Sequence, residues 1–256
     1  MSRCGITRSI SDSCNVDKLA EECSDTEILI SNAVAIPGGN IDAVDETRWR
    51  AAWDLKVFSY VNMTRRFYAL MRERKKGVII NIIGAAGENP DFDYVAGSSG
   101  NASLTAFTRA IGGTAPRDGL RVLGINPGPV LTDRLVTLMR TRAQTQFGGA
   151  ERWTEYMKPL AFGRAAKPEE IAWMAAFLAS DLSGYTTGPI VTIDGRGSSR
   201  RLGALGSFAC SVLSARRGFS EKGALEDAAA QCAQQCVIIS HRGETAAPAA
   251  AATNST

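Results

Sequence analysis

The chain has 256 residues, of which 45% are apolar and 21% charged, and its formal net charge is +3. These values are ordinary for a globular protein, and such a small charge argues against a nucleic-acid or anionic-membrane partner. No apolar run approaches the roughly 18–20 residues of a membrane span, and the first residues lack the apolar core of a secretory signal. We therefore expect one large domain, or a domain with a tail, and no membrane association.

The cysteines lie near both ends of the chain, and none falls between Ser24 and Ala209. A disulfide framework through the core is therefore not expected, which favours a reducing, cytoplasmic location. Cys232, Cys236 and His241 are the nearest approach to a metal-binding set. A structural zinc ion requires four ligands, so we predict no metal.

Strand and helix patterns alternate along the middle of the chain. The predicted strands are Ile28–Val34, Gly77–Ile83, Leu120–Asn126 and Pro189–Asp194. The predicted helices are Asp45–Arg74, Ala102–Gly113 and Glu169–Ser180. Because the strand runs are almost continuously apolar, they indicate strands buried on both faces. Such strands, joined by helices, predict an α/β fold with a parallel sheet.

The ends of the chain differ in composition from the middle. We divide it into a segment at 1–27, a core at 28–200 and a tail at 201–256. The tail is rich in Gly, Ser and Ala and ends APAAAATNST, so we expect it to be largely disordered. Within the tail, Leu225–Ile239 is predicted as one helix.

Five segments carry a resemblance to a known family. They are SNA at Ser31–Ala33, NII from Asn81, NPGPVLTD at Asn126–Asp133, PLAFGRAAKPEEIAWMAAFLASD from Pro159, and YTTGPIVTIDG from Tyr185. In this order, with this secondary structure between them, they resemble the short-chain dehydrogenase/reductase family over about Cys14 to Arg200.

The resemblance implies a doubly wound Rossmann fold that transfers a hydride between NAD or NADP and an alcohol or carbonyl substrate. It assigns these residues to cofactor binding: Asn32, Ala33, Ile82, Asn101, Pro127, Gly128, Val130 and Thr132. Gly128 would let the backbone pass beneath the nicotinamide, and Thr132 would bind its carboxamide or a phosphate. The alternative is that Pro127–Pro129 is only a turn. The predicted helices Asp45–Arg74 and Ala102–Gly113 correspond to the family's dimer-forming helices, which implies a homodimer or homotetramer.

The resemblance fails before Ile28, where the family has a strand, a glycine-rich turn and a helix that hold the pyrophosphate. No such glycine run is present there. By the resemblance, the first strands and this turn are missing, and the fold is a partial Rossmann fold with a C-terminal extension. We then expect the strand at Ile28 to be an exposed sheet edge.

The family's catalytic residues are also changed. They are an Asn in the long helix, a Ser after the fifth strand, and a Tyr and a Lys in Y-x-x-x-K. Alignment from Tyr94 places Ser98 at the Lys position. Alignment of the helix NASLTAFTRA instead places Asn101 at Lys and Gly97 at Tyr. We prefer the second alignment, because the distance from Asn101 to the Pro-Gly turn is then the family's usual one.

In the preferred alignment Gly84 takes the Ser position and Lys56 takes the Asn position. Tyr94 precedes Gly97 by one helical turn, about 4.5 Å along the axis, so its hydroxyl is expected near the vacated space. Our hypothesis is that Tyr94 is the general acid, Lys56 its electrostatic partner and Asn101 a third catalytic residue. The alternative is that Tyr94 only packs at a loop and Lys56 is a solvated lysine.

The stretch Leu131–Arg164 corresponds to the family's substrate lid. Its apolar residues are Leu135, Leu138, Met139, Phe147, Trp153, Tyr156 and Met157. They predict a small apolar or aromatic substrate, or else they pack the lid itself. Two further interpretations stay open: a non-catalytic binding or dimerisation module, and an inactive truncated fragment.

Overall fold

The computed structural model describes residues 2–3, 10–33, 36–198 and 236–240. Its strands are β1 (Ser2–Arg3), β2 (Ile28–Ser31), β3 (Gly77–Ile82), β4 (Leu120–Pro127), β5 (Ile190–Ile193) and β6 (Cys236–Ser240). They form one six-stranded sheet in the order β1-β6-β2-β3-β4-β5. The four predicted strands are β2 to β5, and all three pairings among them are parallel. The predicted α/β fold is confirmed.

The helices are α1 (Ser13–Glu22), α2 (Glu46–Trp53), α3 (Ser59–Arg74), α4 (Val95–Gly112), α5 (Asp133–Phe147) and α6 (Pro168–Ala179). A π-helical turn, Asp54–Phe58, joins α2 to α3. The long helix predicted over Asp45–Arg74 is therefore one continuous unit with a π-turn inside it. Such turns are frequent at functional sites. The helix predicted over Ala102–Gly113 begins seven residues earlier, at Val95.

Apolar residues pack on both faces of the sheet. Ile79 and Ile80 are neighbours in β3 and have no exposed surface. Adjacent strand residues point to opposite faces, and Ile79 packs with Phe67 of α3 whereas Ile80 packs with Ile171 of α6. Helices thus cover both faces of the parallel strands, as in a doubly wound sheet.

Helix α1 lies within the segment 1–27, for which no structure was predicted. Asp12 caps its N-terminus by accepting a hydrogen bond from the Cys14 amide at 2.9 Å. Val16 and Leu19 are buried in the cluster that also contains Phe67 of α3. The helix therefore forms part of the core packing on this face.

The prediction of an exposed edge at Ile28 is wrong. Strand β6 pairs antiparallel with β2, with Ile28 opposite Ile239 and Ser31 opposite Cys236. The helix predicted over Leu225–Ile239 is likewise wrong from Cys236 onwards. The run VII has β-branched residues that favour a strand, and the free backbone groups of an edge strand favour pairing. The rest of the tail, including Cys232 and His241, lies outside the described residues.

One cysteine departs from the expectation of reduced thiols. Cys23 is disulfide-bonded, whereas Cys14 is a free, exposed thiol.

In the described residues, no helix is long and apolar enough to cross a membrane. The cytoplasmic location stays a prediction.

Candidate active site

The carboxyl ends of β2 and β3 are held together by Tyr60 of α3. Its hydroxyl lies 2.9 Å from the carbonyl oxygen of Ile82 and 3.2 Å from that of Ala33. The side chain is almost fully buried, with 1% exposed. Tyr60 was not selected from the sequence, where it is one of many apolar residues at helical spacing. Its position fixes the backbone around Ala33 and Ile82, two of the predicted cofactor-binding residues.

Three polar side chains meet at the peptide that joins Ile83 to Gly84, just beyond β3. Lys56 Nζ donates to the Ile83 carbonyl oxygen at 2.5 Å. The Gly84 amide donates to Asn126 Oδ1 at 3.2 Å. Asn101 lies against Gly84, because a Cβ there would be 2.7 Å from Asn101 Nδ2. Gly84 also has a φ of 141°. Both the lack of room for a Cβ and this backbone conformation require glycine at the position where the family carries its catalytic Ser.

Lys56 is a buried lysine. Only 3% of the residue is exposed, and its Nζ lies 6.0 Å from the centre of the Tyr60 ring. It stands within the π-helical turn. The alternative that Lys56 is a solvated helix lysine is therefore wrong. Its amino nitrogen is held beside the peptide that joins Ile83 to Gly84.

Tyr94 stands directly before α4, and its ring lies over Gly97. Its Cε1 and Cζ atoms are 2.0 and 2.1 Å from the place that a Cβ on Gly97 would take. The ring packs against a buried cluster that includes Ile36 and Ala96. Within the described part of the chain, no hydrogen bond to its hydroxyl is formed. Tyr94 thus packs at the loop, as the alternative held, and also presents an unbonded phenol in the space vacated at position 97.

Burial raises the pKa of Tyr94 above its ordinary value, and the positive charge of Arg134 opposes that rise. Arg134 belongs to the first turn of α5 and donates from Nη2 to the Ile36 carbonyl oxygen at 2.8 Å. It was missed in the sequence because position 134 carries no signal that links it to a residue 98 positions earlier.

Asn101 takes the place of the family's catalytic Lys in the preferred alignment, and it is 3% exposed. Its Oδ1 atom is buried and has no hydrogen-bond partner among the described residues, and the same holds for Asn126 Nδ2 and Thr105 Oγ1. An unbonded amide acceptor suits a ribose hydroxyl, and an unbonded amide donor suits a carboxamide oxygen. These atoms fit the nicotinamide half of NAD or NADP. Asn32 lies half-buried directly after β2, at the same edge of the sheet.

Ser98 has a local role that does not support the other alignment. Its Oγ accepts a hydrogen bond from the Asp91 amide at 3.0 Å. It is buried and holds the turn before α4. A serine used in this way brings no positive charge to the Lys position, so the structure offers nothing for that alignment.

The predicted cofactor-binding residues in the turn after β4 make contacts with other parts of the protein. A Cβ on Gly128 would lie 2.8 Å from Asp194 Cα, so glycine here permits the close approach of the residue that follows β5. Val130 forms a bridge with Ala166. Thr132 caps α5 by accepting from the Leu135 amide at 3.3 Å. Pro127 ends β4. Cofactor binding by these residues stays a prediction.

Several apolar lid residues pack on one another. The rings of Phe147 and Tyr156 are 5.4 Å apart, and Arg152 lies 4.6 Å from the Phe147 ring centre. Tyr156 also bonds to Gln146 at 2.7 Å. These contacts favour the interpretation that the aromatic residues of this stretch stabilise the lid itself.

Comparison with known proteins shows the family of this chain. The family profile described as enoyl-(acyl carrier protein) reductase matches residues 3–197. NADPH-dependent reductase BacG of Bacillus subtilis is 29% identical over 70% of this chain and 69% of that protein. The uncharacterized oxidoreductase YxbG of the same organism is 34% identical over 70% of this chain and 65% of that protein.

A solved structure agrees with these matches. L-Sorbose reductase from Gluconobacter frateurii, complexed with NADPH and L-sorbose, has a TM-score of 0.68 and 25% identity. The similarity covers 73% of this chain and 74% of that one. The chain belongs to the short-chain dehydrogenase/reductase family, a family of NAD(P)-dependent oxidoreductases. The family, the oxidoreductase class and the NAD or NADP cofactor predicted from the sequence are confirmed.

Proposed function

We propose that this chain transfers a hydride between NAD or NADP and an alcohol or carbonyl substrate, with Tyr94 as the general acid. The observation that carries the proposal is the position of the Tyr94 phenol over Gly97, with its hydroxyl unbonded in the described residues. Burial raises its pKa, so the hydroxyl keeps its proton at neutral pH. A protonated phenol suits reduction, in which the substrate oxygen gains a proton.

The remaining roles follow from the contacts around Gly84. The Lys56 ammonium stabilises negative charge that develops on the substrate oxygen during reduction. Asn101 offers its unbonded amide oxygen to a ribose hydroxyl, and Asn32, Ala33 and Ile82 line the same edge. Pro127, Gly128, Val130 and Thr132 complete the proposed cofactor-binding set. When bound, the nicotinamide supplies or accepts the hydride.

A small apolar or aromatic substrate is part of the proposal. Leu131 and Leu138 are 43% and 42% exposed on the lid, and Phe162 is 77% exposed.

A homodimer or homotetramer formed through the long helices is also proposed. A groove of about 340 Å³ lies between α3 and α4, lined by Thr64, Arg65, Tyr68, Ala69, Arg72, Ile111 and Thr114.

The experiment compares Tyr94→Phe with the wild type. NADPH and NADH consumption is followed with a panel of aromatic and aliphatic ketones, and cofactor binding is titrated by fluorescence. We expect Tyr94→Phe to bind cofactor normally and to lose about 10²- to 10⁴-fold in turnover, the usual contribution of a general acid. Tyr185→Phe is the matched control, because Tyr185 is fully exposed. Full turnover in Tyr94→Phe contradicts the assignment.

The second candidate function is a binding module without turnover. It is favoured by the absence of Tyr, Ser and Lys from the positions that the preferred alignment gives them. Cofactor binding without any consumption across the ketone panel supports this candidate. Failure to bind either cofactor contradicts both candidates.

A further inference from the structure

Arg134 links the lid to the loop that follows β2. It lies in the first turn of α5, and its guanidinium donates to the carbonyl oxygen of Ile36. This bond joins positions 98 residues apart and is partly buried. The first turn of α5 is therefore anchored at a fixed point of the core.

Tyr94 packs against the part of the core to which Ile36 belongs. The Ile36 side chain has no exposed surface and forms a cluster with Val44, Ala52 and Ala96, against which the Tyr94 ring packs. The Arg134 guanidinium thus bonds to the carbonyl oxygen of Ile36, and the Tyr94 ring packs against the cluster that contains the Ile36 side chain. The Arg134 charge is therefore held at the cluster on which Tyr94 packs.

Other charged groups lie on the segments around Tyr94. They are Asp91 and Asp93 of its own loop, Asp42, Asp45 and Arg48 at the start of α2, and Asp133 beside Arg134. The charge that acts on the pKa of Tyr94 is that of Arg134. The Lys56 ammonium donates instead to the Ile83 carbonyl, so its charge is directed at the backbone beside Gly84.

We propose that Arg134 is a positioning residue that supplies the positive charge beside Tyr94, and that docking of α5 on Ile36 brings it there. The proposal rests on the proposed function only where it treats Tyr94 as the acid. In this proposal the lid affects Tyr94, because α5 carries Arg134 and undocking of α5 would move the Arg134 charge away from Tyr94. Lys56, which the sequence suggested for this task, donates instead to the Ile83 carbonyl oxygen.

The test measures ionisation of residue 94 in the full chain, without cofactor or substrate. A ring-fluorinated tyrosine is incorporated at position 94 and its titration is followed by ¹⁹F NMR. Ring fluorines lower the phenol pKa, so the titration is completed at a pH that the fold tolerates. Arg134→Gln is the main variant, because the amide keeps a donor for the Ile36 carbonyl while the charge is removed. Arg134→Lys keeps the charge, and Arg109→Met is the control for an exposed cation on α4.

We expect Arg134→Gln to raise the titration midpoint of residue 94 by roughly half a pKa unit, since a partly exposed cation is screened by solvent and salt. Arg134→Lys should restore part of the shift, and Lys56→Met and Arg109→Met should leave the midpoint unchanged. An unchanged midpoint in Arg134→Gln overturns the proposal, as does an equal shift in Lys56→Met. The titration requires no catalysis. If Arg134→Gln shifts the midpoint of residue 94 but the wild-type protein shows no turnover, the proposed function is contradicted and the role of Arg134 is supported.

Discussion

The ring of Tyr94 fills the space that a side chain at position 97 requires, with its Cζ 2.1 Å from the place of a Cβ on Gly97. The two positions therefore exclude each other sterically. In the preferred alignment the family's tyrosine corresponds to position 97. This chain has Gly97 there and carries Tyr94 three residues earlier. The Tyr94 ring occupies the space over Gly97 from the start of α4.

We expect Gly97→Ala to displace the Tyr94 ring and to lower the free energy of unfolding by about 1–3 kcal/mol through overpacking. The double variant Tyr94→Ala, Gly97→Ala should be less destabilised than the sum of the single variants, since the clash is then removed. Urea unfolding measures both effects. Gly113→Ala is the control, because the nearest atom to its Cβ would be 3.5 Å away. Strictly additive effects at 94 and 97 contradict the steric relationship.

The second prediction concerns Tyr60. Tyr60→Phe removes the hydroxyl that lies near the carbonyl oxygens of Ala33 and Ile82. Because these acceptors then lack a partner in a buried place, we expect a loss of about 1–3 kcal/mol in the free energy of unfolding. Tyr185→Phe, at a fully exposed tyrosine, should cause no change in the same denaturation experiment. Equal stability of the two variants would show that Tyr60 does not hold the strand ends.

The third prediction concerns Arg121 of β4. Its guanidinium donates to carbonyl oxygens at the end of α6, among them Leu178 at 2.7 Å and Ser180 at 3.1 Å. Burial lowers its pKa, so its charge has been partly taken out of water. Arg121→Met leaves these carbonyls without their donor, and we expect a loss of about 2–3 kcal/mol. Arg109→Met, at a mainly exposed arginine, is the control in the same unfolding measurement.

The fourth prediction concerns acid stability. The hydrogen bond from Arg164, followed by that from the Lys167 backbone, lowers the pKa of Glu170 from 4.5 to about 2. Since the folded-state pKa is depressed, the stabilisation is present above pH 4.5 and is lost as the pH falls towards about 2. We expect the Tm of Glu170→Gln to fall less steeply than that of the wild type across this range. Parallel Tm curves for the two proteins would contradict the role of this pair.

The sequence predicted the central sheet well because its signals are local. Near-continuous apolar runs mark β2 to β5, since strands covered on both faces must be apolar at adjacent positions, as Ile79 and Ile80 show. The family motifs follow these strands at fixed distances. The same local signals indicated Gly84, Gly97 and Asn101 as altered catalytic positions, although not how their neighbours fill the space.

Tertiary structure decided which distant groups meet. Pairing of β6 with β2, burial of Lys56 against the Ile83 carbonyl and anchoring of Arg134 on Ile36 join segments that carry no mutual signal in the sequence. Local patterns determine helices and strands through the burial of one face or two. The partner of a single charged side chain depends on how those elements pack, as the bond from Arg134 to the Ile36 carbonyl oxygen shows.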